Sequence, residues 1–63
     1  MRVVVTRIRD GEQLGLFEMD YLPGKGELLE IPRTEGTINC RIEQIQHKFG
    51  SFGLYATLMV ITY

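Results

Sequence analysis

The chain has 63 residues, 44% of them apolar and 24% charged, with a formal net charge of −1, one cysteine and one histidine. That near-neutral balance argues against bulk attraction to phosphate or anionic lipid, because such partners select clustered Lys and Arg. A single cysteine excludes an intrachain disulfide, and with a single histidine there is no Cys/His cluster of zinc-ligand spacing.

The length allows one small domain, residues 1–63, and folding a chain this short hides only about 60% of the surface its unfolded form exposes. With disulfide and structural metal set aside, oligomerisation is the device left to make up the shortfall. No stretch approaches the roughly 18 uninterrupted apolar residues of a membrane span. The opening Met1-Arg2-Val3-Val4-Val5-Thr6-Arg7 is broken by arginine before it reaches the length of a secretory core. A free thiol without such a signal implies a reducing, cytoplasmic setting.

Taken in chain order, residues 2–9 hold Val3, Val4, Val5, Thr6 and Ile8, a β-branched run that fits a pleated sheet better than a helix. Asp10-Gly11 then marks a chain reversal. From 14 to 21 the residues alternate, with Phe17, Met19 and Tyr21 on one side and Glu18 and Asp20 on the other, the period of a half-buried strand. Leu14 and Leu16 lie out of phase with Phe17. Either both faces are covered there, or a bulge at Gly15 shifts the phase.

Pro23-Gly24-Lys25-Gly26 fits a type II turn with Pro23 and Gly24 at its centre. Residues 27–31 follow as a short strand with Leu29 and Ile31 inward, and Pro32 ends it or holds it at a sheet edge. Arg33-Thr34-Glu35-Gly36 reads as an exposed loop. Residues 38–49 admit two readings. Ile38, Ile42, Ile45 and Phe49 recur at helical spacing, with Thr37 as a cap and Gly50 as a stop. Yet Ile38, Cys40 and Ile42 alternate, and Ile45, His47 and Phe49 alternate in the other phase, as in a long strand bent by a bulge near Glu43-Gln44. Gly50-Ser51-Phe52-Gly53 would then be the hairpin loop. Residues 53–63 are apolar on both faces and read as the strand that the others surround.

Few residues suggest chemistry. Cys40, in an apolar alternating set, reads as a buried thiol. His47 lies about 23 Å from it along a strand, too far for a dyad. Lys25 between glycines is a weak anion-binding candidate, and the carboxylates Glu18, Asp20, Glu27, Glu30, Glu35 and Glu43 fall on exposed positions or loops. No calcium loop, no phosphate-cradling glycine loop and no nucleophile with base and oxyanion site is legible. The expectation is therefore a non-enzyme with no cofactor and no metal.

Tyr21-Leu22-Pro23-Gly24-Lys25-Gly26-Glu27-Leu28-Leu29-Glu30-Ile31, followed by Cys40-Arg41-Ile42-Glu43-Gln44-Ile45-Gln46-His47 and a closing apolar strand, resembles the layout of small bacterial and phage proteins with SH3-like barrels. The resemblance spans most of residues 20–63. Gly36-Thr37-Ile38-Asn39 departs from it, standing where an aromatic residue more commonly opens the long strand. It implies strand rather than helix for 38–49. The resulting expectation is an all-β, five-stranded antiparallel small barrel or strongly twisted sheet, with strands near 2–9, 14–21, 27–31, 38–49 and 53–63; an α+β fold with a helix at 38–49 is the alternative. Such folds host many functions.

Two surfaces follow from this pattern. Tyr55, Met59, Ile61 and Tyr63 form a second apolar stripe on the last strand, which a small barrel with one interior leaves for a partner or a second copy. Arg7, Arg9, Arg41 and Lys48, beside Tyr55 and Tyr63, form the alternative: a basic, aromatic surface for single-stranded nucleic acid. The first makes the protein an interaction module, homo-oligomeric or partner-binding, of the accessory or inhibitor kind that the resemblance associates with bacteria, phages and mobile elements.

Overall fold

The computed structural model describes residues 1–63 and contains five strands and no helix: β1 (Arg2–Arg7), β2 (Gln13–Glu18), β3 (Leu28–Arg33), β4 (Gly36–Gly50) and β5 (Gly53–Thr62). One sheet in the order β2-β1-β5-β4-β3 curls into a half-barrel. The segment that is apolar on both faces occupies the middle position, flanked by β1 and β4.

Three of the four ladders are antiparallel, and β1 on β5 is parallel. The sequence reading expected antiparallel pairing throughout. Parity explains the difference: a chain that reverses direction at every connection has its first and fifth strands pointing the same way. Bringing these two together to bury Val3 and Val5 beside Ala56, Leu58 and Val60 forces the parallel ladder. The sheet's two edges, β2 and β3, are left bordering a common opening.

The 38–49 region is strand. At about 3.3 Å per residue a straight 15-residue strand would run about 50 Å, yet the longest dimension of the molecule is 31 Å, so β4 has to bend. The bend sits at Glu43, the extra residue between the Ile42↔Val60 and Gln44↔Met59 pairs. It shifts the phase so that Ile45, rather than an even residue, packs against the core beyond Cys40 and Ile42, while His47 and Phe49 in the same alternation lie exposed past the core. This is how helical spacing of isoleucines arises on a strand. Hydrogen bonding to β3 on one side and β5 on the other outweighs the helical stripe.

A second bulge settles Leu14 and Leu16. Val5 pairs with Gly15 but Thr6 with Gln13, leaving Leu14 as the extra residue. Leu14 therefore turns into the core while Leu16 stays outward and 57% exposed. β1 and β2 are shorter than the sequence suggests. The turn after β1 already starts at Ile8, and beyond β2 the chain leaves the sheet so that Leu22 and Pro23 tuck inward, leaving Tyr21 in solvent.

The turn before β3 lies one residue later than the proline suggests. Glu27 N–H bonds to Gly24 O at 3.2 Å, Lys25 and Gly26 are central, and Gly26 supplies the positive φ of 89°. Pro32 lies within β3, which runs on to Arg33, and β3 is an edge strand as that residue demands. Tyr63 N–H bonds to Asn39 O and Ile42 N–H to Glu27 O, so before the bulge the odd residues of β4 face β5 and the even ones face β3. By the alternation of an antiparallel ladder, the nitrogen of Pro32 then points to the open side, where no donor is required.

The core joins Val3, Val5, Leu14, Ile31, Cys40, Ile42, Leu58 and Val60, with Phe17, Met19, Leu22, Leu29, Ile38 and Ile45 packed around it. β1, β4 and β5 supply most of it. β2 and β3 contribute one fully buried residue each.

Candidate protein interface

Strand alternation puts Tyr55, Thr57, Met59 and Ile61 of β5 on the outer, convex face, opposite the buried Ala56, Leu58 and Val60. Tyr55, Met59 and Ile61 are half-buried, and Thr57 between them is 4% exposed. Tyr63, just past the strand, continues the row and is 72% exposed.

Cross-strand register extends the row sideways. Val4 lies beside both Leu16 and Thr57, so an apolar band crosses β2, β1 and β5. Ile8, whose N–H bonds to Val60 O, brings its side chain beside Ile61 in a cleft shared with Arg7, Arg9 and Thr62. On the other flank Leu28, 72% exposed, lies near Tyr63 in a cleft with Leu29, Glu30, Asn39 and Cys40. Val4, Ile8, Leu16 and Leu28 were missed from sequence. The signal was present for Leu16, which is out of phase with Phe17.

At the start of β5 the stripe is capped. The Arg2 guanidinium lies 4.6 Å over the Phe52 ring, and Phe52 and Tyr55 have ring centroids 5.4 Å apart. Phe52 and Leu54 share the alternation of the buried Ala56, Leu58 and Val60 but are exposed, at 56% and 48%, and Phe49 is 85% exposed. The β4–β5 hairpin carries them past the sealed part of the barrel.

The four cations of the alternative surface do not gather. Arg7 donates to both carboxylate oxygens of Asp10 and to Glu12 at 2.8 Å. The bidentate pair, aided by the Glu12 N–H bond to Asp10, holds the Asp10 carboxyl at about 2 and pushes the Arg7 guanidinium up. Arg41 is engaged by Glu43 at 3.3 Å. Lys48 stands opposite Tyr55 near the start of β5, whereas Arg9 lies beyond Arg7, whose partner Val60 is near the end of β5. The two unengaged cations are thus at opposite ends of the sheet.

Cys40 is fully buried, its Sγ 3.7 Å from Leu29 O, and burial pushes its thiol pKa up, away from the thiolate that a nucleophile needs. His47 stands exposed on the far side of the bulge, opposite Ala56. The two do not meet. Lys25 is exposed at its turn, and no group of three or more His, Cys, Asp and Glu side chains gathers to hold a metal ion. No helix is long and apolar enough to cross a membrane.

Comparison with protein-family models, with curated proteins and with solved structures finds no match to this chain.

Proposed function

We propose that the chain is a non-enzymatic protein-interaction module that associates with a second copy through the outer face of β5. The observation that carries this reading is the partly exposed apolar band of Leu16, Val4, Met59, Ile61 and Tyr63 across three strands of a sheet whose hydrophobic core lies on the other face. Apolar sheet faces pack on one another about 10 Å apart, and two copies brought together in this way bury the same band on each. Such burial would also offset the thin stability margin of a 63-residue chain.

The likeness to small bacterial and phage barrels supports an accessory or inhibitor role in a bacterium or mobile element, and the unpaired buried thiol of Cys40 supports a reducing, cytoplasmic setting. Sedimentation equilibrium tests the surface. The parent is expected to sediment as a dimer or larger and the folded double variant Tyr55→Asp, Met59→Asp as a monomer. A folded variant that keeps the parent's mass and partners overturns the reading. Salt-dependent retention of the parent on single-stranded DNA would favour the nucleic-acid alternative instead.

A further inference from the structure

A different surface, the opening between β2 and β3, points to a ligand class. We infer that this opening accepts an extended peptide with alternating apolar and basic residues, which adds to the half-barrel as a sixth strand.

Main-chain geometry comes first. Met1 and Met19 exchange both of their N–H···O bonds, at 2.9 and 3.0 Å, so the odd residues of β2 face β1. The N–H and C=O groups of Leu16 and Glu18 then point into the opening. On β3 the groups of Leu28 and Glu30 do the same, by the parity that turns Pro32 outward. No backbone hydrogen bond crosses from β2 to β3. Two unpaired edges bordering one opening are the arrangement that strand addition uses.

The floor of the opening supplies the side-chain pockets. Val5, Phe17, Met19, Leu29, Ile31 and Pro32 line a cavity of about 240 Å³. Phe17, Met19 and Leu29 are only half-buried there, so alternate apolar side chains of an added strand would complete their contacts.

Charge selects the rest of the peptide. Residues 13–33, which hold both edges and their connecting loop, carry Glu18, Asp20, Glu27 and Glu30 against Lys25 and Arg33, a formal −2 in a chain whose total is −1. The remaining residues therefore sum to +1. An acidic rim around an apolar slot is complementary to Lys or Arg at the outward positions of the strand. Direction follows from Pro32. β3 lacks a donor at that edge while β2 lacks none, so the added strand runs antiparallel to β2, the more complete ladder.

The probe is a capped nine-residue peptide alternating Val with Lys, titrated into the isotope-labelled monomeric Tyr55→Asp, Met59→Asp variant and, separately, into the parent. Saturable shifts and slowed exchange at the Leu16 and Glu18 amides are expected in both. Affinity is expected to fall at least about tenfold with alternate N-methylation of the peptide, and similarly with Glu in place of Lys. The Asp20→Asn, Glu30→Gln variant, changed only at exposed positions outside the ion pairs that Glu18 makes with Met1 and Arg2, should bind less tightly and lose part of the salt dependence. Absence of saturable binding, affinity unaffected by N-methylation, or shifts confined to the outer face of β5 would each overturn the inference. So would concentration-dependent protection of the Glu18 and Glu30 amides in the Tyr55→Asp, Met59→Asp variant, which would make the edge of a second copy the occupant. Because oligomeric state is read on the other face, failure of the peptide leaves the dimer proposal standing, and the reverse also holds.

Discussion

β5 and β2 are built from similar residue types but hold opposite positions in the sheet. β5 has a hydrogen-bonded neighbour on each side and three inward residues with no exposed surface, whereas β2 has one neighbour and one fully buried residue, placed by a bulge. The difference shows in how polar residues are distributed. Between Leu54 and Ile61 the only polar side chains are Tyr55 and Thr57, and Thr57 is 4% exposed. In β2 the ends Gln13 and Glu18 are exposed and polar, and Gly15 sits opposite Val5. The middle strand is apolar on both faces, while the edge strand carries polar residues at its ends.

The comparison can be broken first at its strongest point. Leu58→Ala removes most of a side chain with no exposed surface from the middle strand and is expected to cost about 3–5 kcal/mol, enough in so small a domain to abolish a cooperative urea transition at 25 °C. Phe17→Ala, at the half-buried edge, should cost about half as much, roughly 1.5–2.5 kcal/mol, and leave the transition measurable. Equal costs would mean that the edge is as sealed as the centre.

Gly15→Ala is gentler and local. An added Cβ would lie 2.6 Å from the Phe17 ring, so the ring has to swing toward the opening. The expected cost is under about 1 kcal/mol, with changed ring chemical shifts for Phe17 and unchanged shifts for Leu58. The smallest effect is in acid. Asp10 is held at about 2, below the ordinary carboxylate value of 3.8, so the folded state binds its proton later than the unfolded chain does. Its contribution is full above the unfolded value and disappears as pH falls from about 4 through 2. Asp10→Asn should flatten the stability profile in that window and nowhere else.

Much of this sheet was legible in the sequence. Two apolar faces on the last segment placed it centrally, Asp10-Gly11 and Gly50 to Gly53 marked reversals, Pro32 marked an edge, and the phase change at Glu43 marked the bend. The parallel β1–β5 ladder was not legible, because it depends on which strands meet after the sheet curls and on no local pattern. Position in the Pro23 to Gly26 turn was misread for a similar reason: Pro23 is buried as a plug, so the turn passes to Lys25-Gly26. For the candidate interface, the β5 row was readable from alternation alone. Its sideways continuation through Val4, Ile8 and Leu16 required the register between strands, which single-strand patterns do not contain.

The strand at the centre of the sheet is synthesised after the four strands that it joins. Until residues 53–62 emerge, the hairpins β1–β2 and β3–β4 share no partner, and an isolated two-stranded hairpin is marginal in water at best. The two hairpins therefore lack a common partner, and the sheet closes only once β5 is present. Stalled or truncated products ending before Leu58 would expose both apolar hairpins at once, which makes them substrates for proteolysis rather than folded fragments.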